Sequence, residues 1–264
     1  MQFNLVYCNR SAETKSRLAN VVRDHYPQHT LRCINTSNAA NRTIPTADLT
    51  PANTIFYGDL DDYDLTKPSF LQFVADIVPN TMVLRADLGD YDTVVVKESG
   101  GRTVVCLNKD GGTNQRYKFV MRKQEWRVNF SFGIVNQVLC KNLTSGEVFG
   151  KVGDDSRWSV EQDSGVRRHL TQLTKQIGQR IAERFPKVLH FGIDFIRDND
   201  TNTFYILELN RANSRNEENC KWLFEHFLAN YEGSSLNNVR TNLMSRLTSA
   251  TSMDELRSII RGSL

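Results

Sequence analysis

Apolar positions change period along the chain, and each change marks an element. Behind the short apolar run FNLVYC, Leu18, Val21, Val22 and Tyr26 recur at helical spacing, which predicts a strand followed by a helix over 11–26. TLRCI and TIFYG read as two further strands, separated by a polar, loop-like stretch over 35–51. Strands alternating with helices favour a parallel sheet. Pro68 suits the first turn of a helix over 69–77. From 92 to 141 short strands take over: TVVVK, TVVCLN, RYKFVM, EWRVNFSF and VNQVLCK. Glycine-containing turns between several of them predict a mainly antiparallel sheet. In the plainest helix, over 164–184, Val166, Leu170, Leu173, Ile177, Ile181 and Phe185 form one apolar stripe that Pro186 ends. The tail from 216 reads as helical, and SMDE at 252–255 forms a capping box ahead of Leu256, Ile259 and Ile260.

Between the long helix and the tail lies FGIDFIRDNDTNTFYILELNRAN, residues 191–213, a hairpin whose two apolar strands are interrupted by acids and amides. With Asp198 to Asn202 as the turn, Arg197 faces Thr203 and Asp194 faces Ile206. Asp194 then lies diagonal to Glu208, roughly 7–8 Å away, on the face that Asn210 shares. Ile193, Phe195, Tyr205, Leu207 and Leu209 fall on the other face and are expected to supply the core. A slip of one residue would drive Asp194 into that core. Two carboxylates and an amide oxygen on one face are hard-oxygen donors of the kind Mg2+ takes together with nucleotide phosphates. A solvated strand face with chance acids would show the same letters, so partners elsewhere decide the reading.

Composition narrows the field. The chain has 33 basic and 30 acidic residues and a net charge of +3, dispersed along its length, which does not point to nucleic acid. Five cysteines, an odd number, stand far apart without a CxxC or clustered histidines. They read as reduced thiols of a cytoplasmic protein, not as a disulfide frame or zinc site. MQFNLVYCNRS has no basic leader ahead of a long apolar core, so no secretory signal is expected. No run approaches 18 apolar residues, which argues against a membrane-spanning helix.

The partners sit upstream. VVVKESGGRTVVCL places Lys97 at a strand end, followed by Ser99, Gly100 and Gly101 in a tight loop where backbone N–H groups can approach phosphate. It is not a Walker loop, because GxxxxGK[ST] is absent and a strand follows. EWRVNFSF alternates with Glu125, Arg127, Asn129 and Ser131 on one face and Trp126, Val128, Phe130 and Phe132 on the other. The order of lysine strand, glycine loop, linker strand, ExRV, long helix and DF…ELN resembles the ATP-grasp fold over about 66–213. It is similar to the carboxylate–amine ligases of the ribosomal-protein glutamate ligase and D-alanine–D-alanine ligase type. TKPSFLQFVADIVPNT is similar to the segment that opens that fold.

The resemblance implies an α/β (α+β) chain with a small N-terminal α/β domain over 1–65 and an ATP-grasp domain over 66–215. Beyond them lies a C-terminal helical extension over 216–264, packed on the ATP-grasp domain. It implies ATP and Mg2+, two ions, as cofactors, and a carboxylate and an amine as substrates, drawn from small molecules, peptides or modified nucleotides. Lys67 and Lys97 would contact ATP, and Ser99, Gly100 and Gly101 would cover its phosphates. Lys118, Phe119, Val120 and Met121 would offer backbone groups to adenine, with Glu125 on the ribose. Asp194, Glu208 and Asn210 would hold metal, while Lys97, Arg127 and Arg211 would act in catalysis. The expected reaction is amide or peptide bond formation through an acyl phosphate, releasing ADP and phosphate. The alternative is a nucleotide-binding module of the same fold without turnover. The sequence departs from the family pattern at Glu98, where proline is common. It departs again after ELN, where RANSRNEE replaces a small-residue Pro-Gly segment bordering the acceptor substrate. Lys151 and Arg157 lie in a loop, FGKVGDDSRW, that could close over the site.

Overall fold

The structure, a computed structural model, describes residues 1–7, 12–36, 49–57, 70, 73–75, 93–97, 103–107, 115–118, 120, 123–143, 158–210 and 216–231. Strand β1 (Gln2–Tyr7), helix α1 (Ala12–His25), β2 (Thr30–Asn35) and β3 (Thr54–Tyr57) make a parallel sheet of order β2-β1-β3, as the alternating pattern predicts. The antiparallel region divides in two. One sheet has the order β5-β4-β6, from β4 (Thr93–Lys97), β5 (Thr103–Leu107) and β6 (Gln115–Lys118). The other has the order β11-β10-β7-β8-β9, from β7 (Gln124–Ser131), β8 (Ile134–Asn142), β9 (Trp158–Val160), β10 (His190–Arg197) and β11 (Phe204–Asn210).

Helix α2 (Ser164–Arg184) covers one face of the five-stranded sheet. It starts at Asp163, whose carboxylate accepts from the Gly165 and Val166 amides and satisfies N–H groups that the first turn leaves free. Leu170, Leu173, Ile177 and Ile181 bury the predicted stripe against Trp126, Val128, Phe130, Ile193 and Phe195. Gly178 lies against the Phe130 ring, which stacks on Phe191 at 4.7 Å. Of the helix expected over 69–77, residues 70 and 73–75 are described and helical; Phe70 and Val74 enter the same core, and Phe73 meets Phe185 at 5.9 Å.

A second core forms under the parallel sheet. Phe3, Leu5, Leu18, Val21, Val22, Ile55 and Tyr57 bury against Cys220, Leu223, Phe224 and Phe227 of helix α3, residues 217–231. These residues were expected to pack on the ATP-grasp portion. They close the N-terminal core, sharing with α1 the sheet face of Phe3 and Leu5, and Phe227 also reaches Phe132 of the β7–β8 connection. The predicted capping box at 252–255 lies outside the described residues. Two contacts join the cores: Tyr57 stacks on His190 with centroids 5.8 Å apart, and Phe132 meets Phe227 at 5.7 Å. Phe132 and Gly133 form a two-residue hairpin turn with φ of 49° and 85°. The conformation is unusual for a bulky residue, and the packing of Phe132 offsets its cost.

Two consequences are measurable. A Cβ at Gly178 would stand 2.5 Å from Phe130 Cζ, and the stack on Phe191 keeps that ring from turning away. Gly178→Ala gains about 1 kcal/mol of helix propensity but forces overpacking worth roughly 1–3 kcal/mol. Its urea midpoint is expected to fall with an unchanged m-value. Burial lowers the His190 imidazole to about 4, so the folded state holds it neutral. The unfolded chain takes up that proton near pH 6.5, so stability is full above that value and declines as pH falls towards 4. The loss reaches about 3 kcal/mol. His190→Phe, which keeps an aromatic ring for Tyr57, should flatten that part of the stability profile.

Candidate active site

Face assignment follows from register. In β10, Asp194 stands directly opposite Arg127 of β7 on one side and Glu208 of β11 on the other. Gly192 stands between Asn129 and Asn210, and Ile196 between Glu125 and Tyr205. Glu125 in turn faces Lys141 of β8, which faces Trp158 of β9. One face of the sheet therefore carries Glu125, Arg127, Asn129, Ser131, Lys141, Asp194, Glu208 and Asn210, and the other carries the core beneath α2. The polar face is not solvated: Asn129, Ser131, Lys141 and Asp194 are all buried.

The hairpin differs from its predicted register in two places. Its turn runs from Asp198 to Thr203, closed by the Asp198 amide donating to Thr203 O, with Asn202 at φ 56° and the Asp198 carboxylate accepting from Asp200 N. Arg197 consequently pairs with Phe204, one residue later than expected. A bulge between Asp194 and Phe195 in the ladder then places one extra residue on β11. The two shifts restore parity. Glu208 stays on the face of Asp194 but lies directly opposite it, about 5 Å between backbones, not on a diagonal. The core residues change too: Ile206 pairs with Phe195 and is fully buried, whereas Tyr205 pairs with Ile196.

Arg127 and Asp194 form a bidentate ion pair. Nε donates to Oδ1 and Nη2 to Oδ2, both at 2.6 Å. The guanidinium also lies over the Trp158 indole, 5.2 Å from its centroid, and the Lys141 ammonium lies over the same ring at 5.7 Å. One indole thus braces two cations beside the acids. On the opposite face, the buried Glu161 carboxylate accepts from Trp126 Nε1 at 2.5 Å and from Asp163 N at 2.8 Å. Burial pushes this carboxyl up, but those hydrogen bonds more than offset it and leave it below its usual range. It fixes Trp126 under Arg127's strand. Cys140, beside it, is pushed up to about 12 by burial, and Cys220 to about 11. Neither is a thiolate nucleophile.

The donor set suits Mg2+. Asp194, Glu208 and Asn210 supply hard oxygens, and Asn210 Nδ2 is buried without a hydrogen-bond partner among the described residues, a costly state that a group entering the site would relieve. Among the described residues no three His, Cys, Asp or Glu cluster. Asn210 and non-protein oxygens such as phosphates would have to complete the shell.

Several solved structures share this backbone arrangement. D-alanine–D-alanine ligase from Bacillus anthracis, complexed with ATP, superposes with a TM-score of 0.57 at 10% identity, over 90% of this chain and 98% of that one. The macrocyclase MdnC from Microcystis aeruginosa, bound with precursor peptide MdnA, gives 0.54 at 10% identity over 85% and 100%. The ATP-grasp ligase PsnB, complexed with minimal precursor, Mg and ADP, gives 0.56 at 12% identity over 86% and 97%. The chain has the ATP-grasp fold. No family model matches the sequence and no curated protein does, so the likeness lies in backbone arrangement.

Within the ATP-grasp fold, the structure brings Glu125, Arg127, Asp194, Glu208 and Asn210 onto one face. Lys97 ends β4 opposite Thr103 and Gln115, and Lys118 ends β6 opposite Val94. Val120 is buried in the central core with Trp126. Lys67, Ser99, Gly100, Gly101, Phe119, Met121, Lys151, Arg157 and Arg211 lie outside the described residues. Lys141 and Trp158 are additions to the predicted set. Lys141 was hidden because the two-residue turn alone would set Cys140 opposite Glu125; a bulge between Val128 and Phe130 in the ladder shifts β8 by one and turns Lys141 to the site. Alternation along VNQVLCK was the available signal, but its phase depends on that bulge. β9 has three residues, too few for a period to show.

Removing Arg127 should expose the cost of the buried acid. Arg127→Met leaves Asp194 charged and unpaired and should lower stability by roughly 3–5 kcal/mol. Adding Asp194→Asn to that variant should recover most of the loss, because the neutral amide needs no counter-ion. Chemical denaturation of the single and double variants measures both steps.

Proposed function

We propose that the protein is an ATP- and Mg2+-dependent carboxylate–amine ligase that forms an amide or peptide bond and releases ADP and phosphate. The observation that carries the reading is the Asp194–Glu208–Asn210 face within an ATP-grasp fold, polar although Asp194 is buried and Glu208 and Asn210 are half-buried, with Arg127 and Lys141 beside it. Nothing in the established packing requires two acids and two cations there.

The chain's own residues divide the work. Asp194, Glu208 and Asn210 would hold magnesium, which would supply positive charge to a transferring phosphoryl group. Glu125 accepts from the ribose hydroxyls, and the backbone of 118–121 meets the base. Lys67 and Lys97 balance the phosphates, with Ser99, Gly100 and Gly101 closing over them. Arg127 stabilises charge on the reacting carboxylate and phosphoryl oxygens, and Arg211 borders the acceptor. The substrate carboxylate attacks the γ-phosphate, ADP leaves, and the amine then displaces phosphate from the acyl phosphate while losing a proton. The protein thus supplies orientation and electrostatics, not a covalent nucleophile. The likeness to MdnC and PsnB, each solved in complex with a precursor, makes a peptide carboxylate a reasonable first substrate class.

Incubation with Mg-ATP and pooled amino acids, amines and peptides should yield ADP and phosphate. AMP and pyrophosphate as main products would refute the acyl-phosphate route. A melting shift with Mg-ATP but no nucleotide consumption under any substrate would favour the non-turnover module. Glu208→Gln should lower ADP release by orders of magnitude while changing apo stability by less than about 0.5 kcal/mol.

A further inference from the structure

The Arg127–Asp194 pair sits where the proposed metal site needs an open carboxylate. Asp194 is 8% exposed, and both of its oxygens accept from one guanidinium fork. That fork takes the positions best placed on a carboxylate for a second cation. Arg127 approaches from the β7 side and Glu208 from the β11 side, so a divalent cation shared by Asp194 and Glu208 would lie close to the guanidinium. Two like charges that close, screened only weakly in a buried site, repel strongly. The indole of Trp158 lies under the same guanidinium, so Arg127 keeps a supporting surface if it lets the acid go.

We propose that Arg127 is a resident stand-in for the metal: it neutralises Asp194 while the site is empty and releases it when a divalent cation loads. The released guanidinium, still braced on Trp158, turns to the anionic substrate. This inference rests on the reading of the face as a metal–nucleotide site. It makes Arg127 available for anion binding only in the loaded protein, so the exchange couples the two events. A residue that merely oriented Asp194 for metal would instead strengthen metal binding and would keep its fork throughout.

Mn2+ serves as the probe. The free-ion electron paramagnetic resonance signal is titrated with the full chain, with and without ADP. Without nucleotide, Arg127→Met is expected to bind Mn2+ on the order of tenfold tighter than wild type, because a competing charge is gone. Arg127→Lys, which keeps the charge but loses the fork, should fall between them, and it decides the matter if Arg127→Met does not fold. ADP should narrow the difference by giving Arg127 a phosphate partner, and Asp194→Asn should lose the tight site. Unchanged or weaker Mn2+ binding in both arginine variants overturns the proposal. If wild type binds no Mn2+ even with ADP, the metal–nucleotide reading falls and takes the proposal with it; failure of the exchange alone leaves wild-type binding intact.

Discussion

A carboxylate placed on an inner strand of a five-stranded sheet sets the terms for everything around it. Every residue of β10 from His190 to Ile196 is buried, and Asp194 is among them. A carboxylate nearly without water is costly unless a cation stands within hydrogen-bond reach. Arg127 meets that need on the neighbouring strand, and the apolar face beneath α2 holds both strands flat enough for the fork to close. The long helix, its cap at Asp163 and the Trp126–Glu161 bond hold the platform on which that single ion pair is aligned.

Two bulges do the aiming. The one in the β10–β11 ladder turns Glu208 and Asn210 to the side of Asp194 while leaving Ile206 in the core. The one in the β7–β8 ladder turns Lys141 to the same side and leaves Cys140 buried near Glu161. Strict pairing along either ladder would have sent one of these polar residues into the apolar layer. Extra residues beside a functional face are a familiar means of redirecting side chains without giving up the sheet.

The long helix was legible because its stripe recurs over five turns, and the polar face of EWRVNFSF because alternation there is unbroken. The acid–amide face of the hairpin was also readable, although by a register wrong in its turn and corrected by an unforeseen bulge. Side-chain parity survived; distance did not. What the letters could not show was pairing across strands. Nothing in RVNF or GIDF says that Arg127 and Asp194 neutralise one another, since the order β10-β7 joins segments far apart in the chain. Trp158 was invisible for the same reason, and α3 was misplaced because an amphipathic helix does not name the sheet it will cover.

That last placement bears on how the chain comes to be folded at all. Phe3, Leu5, Ile55 and Tyr57 are made well before Leu223, Phe224 and Phe227, which help to close their apolar face. A nascent chain would carry this sheet, covered only by α1, until residues 220–227 are made, awaiting contacts of very long sequence separation. The central sheet, with its local hairpins, can assemble meanwhile. The parallel sheet is therefore made before the central sheet yet sealed only after it, which leaves its apolar face open to wrong contacts in the interval.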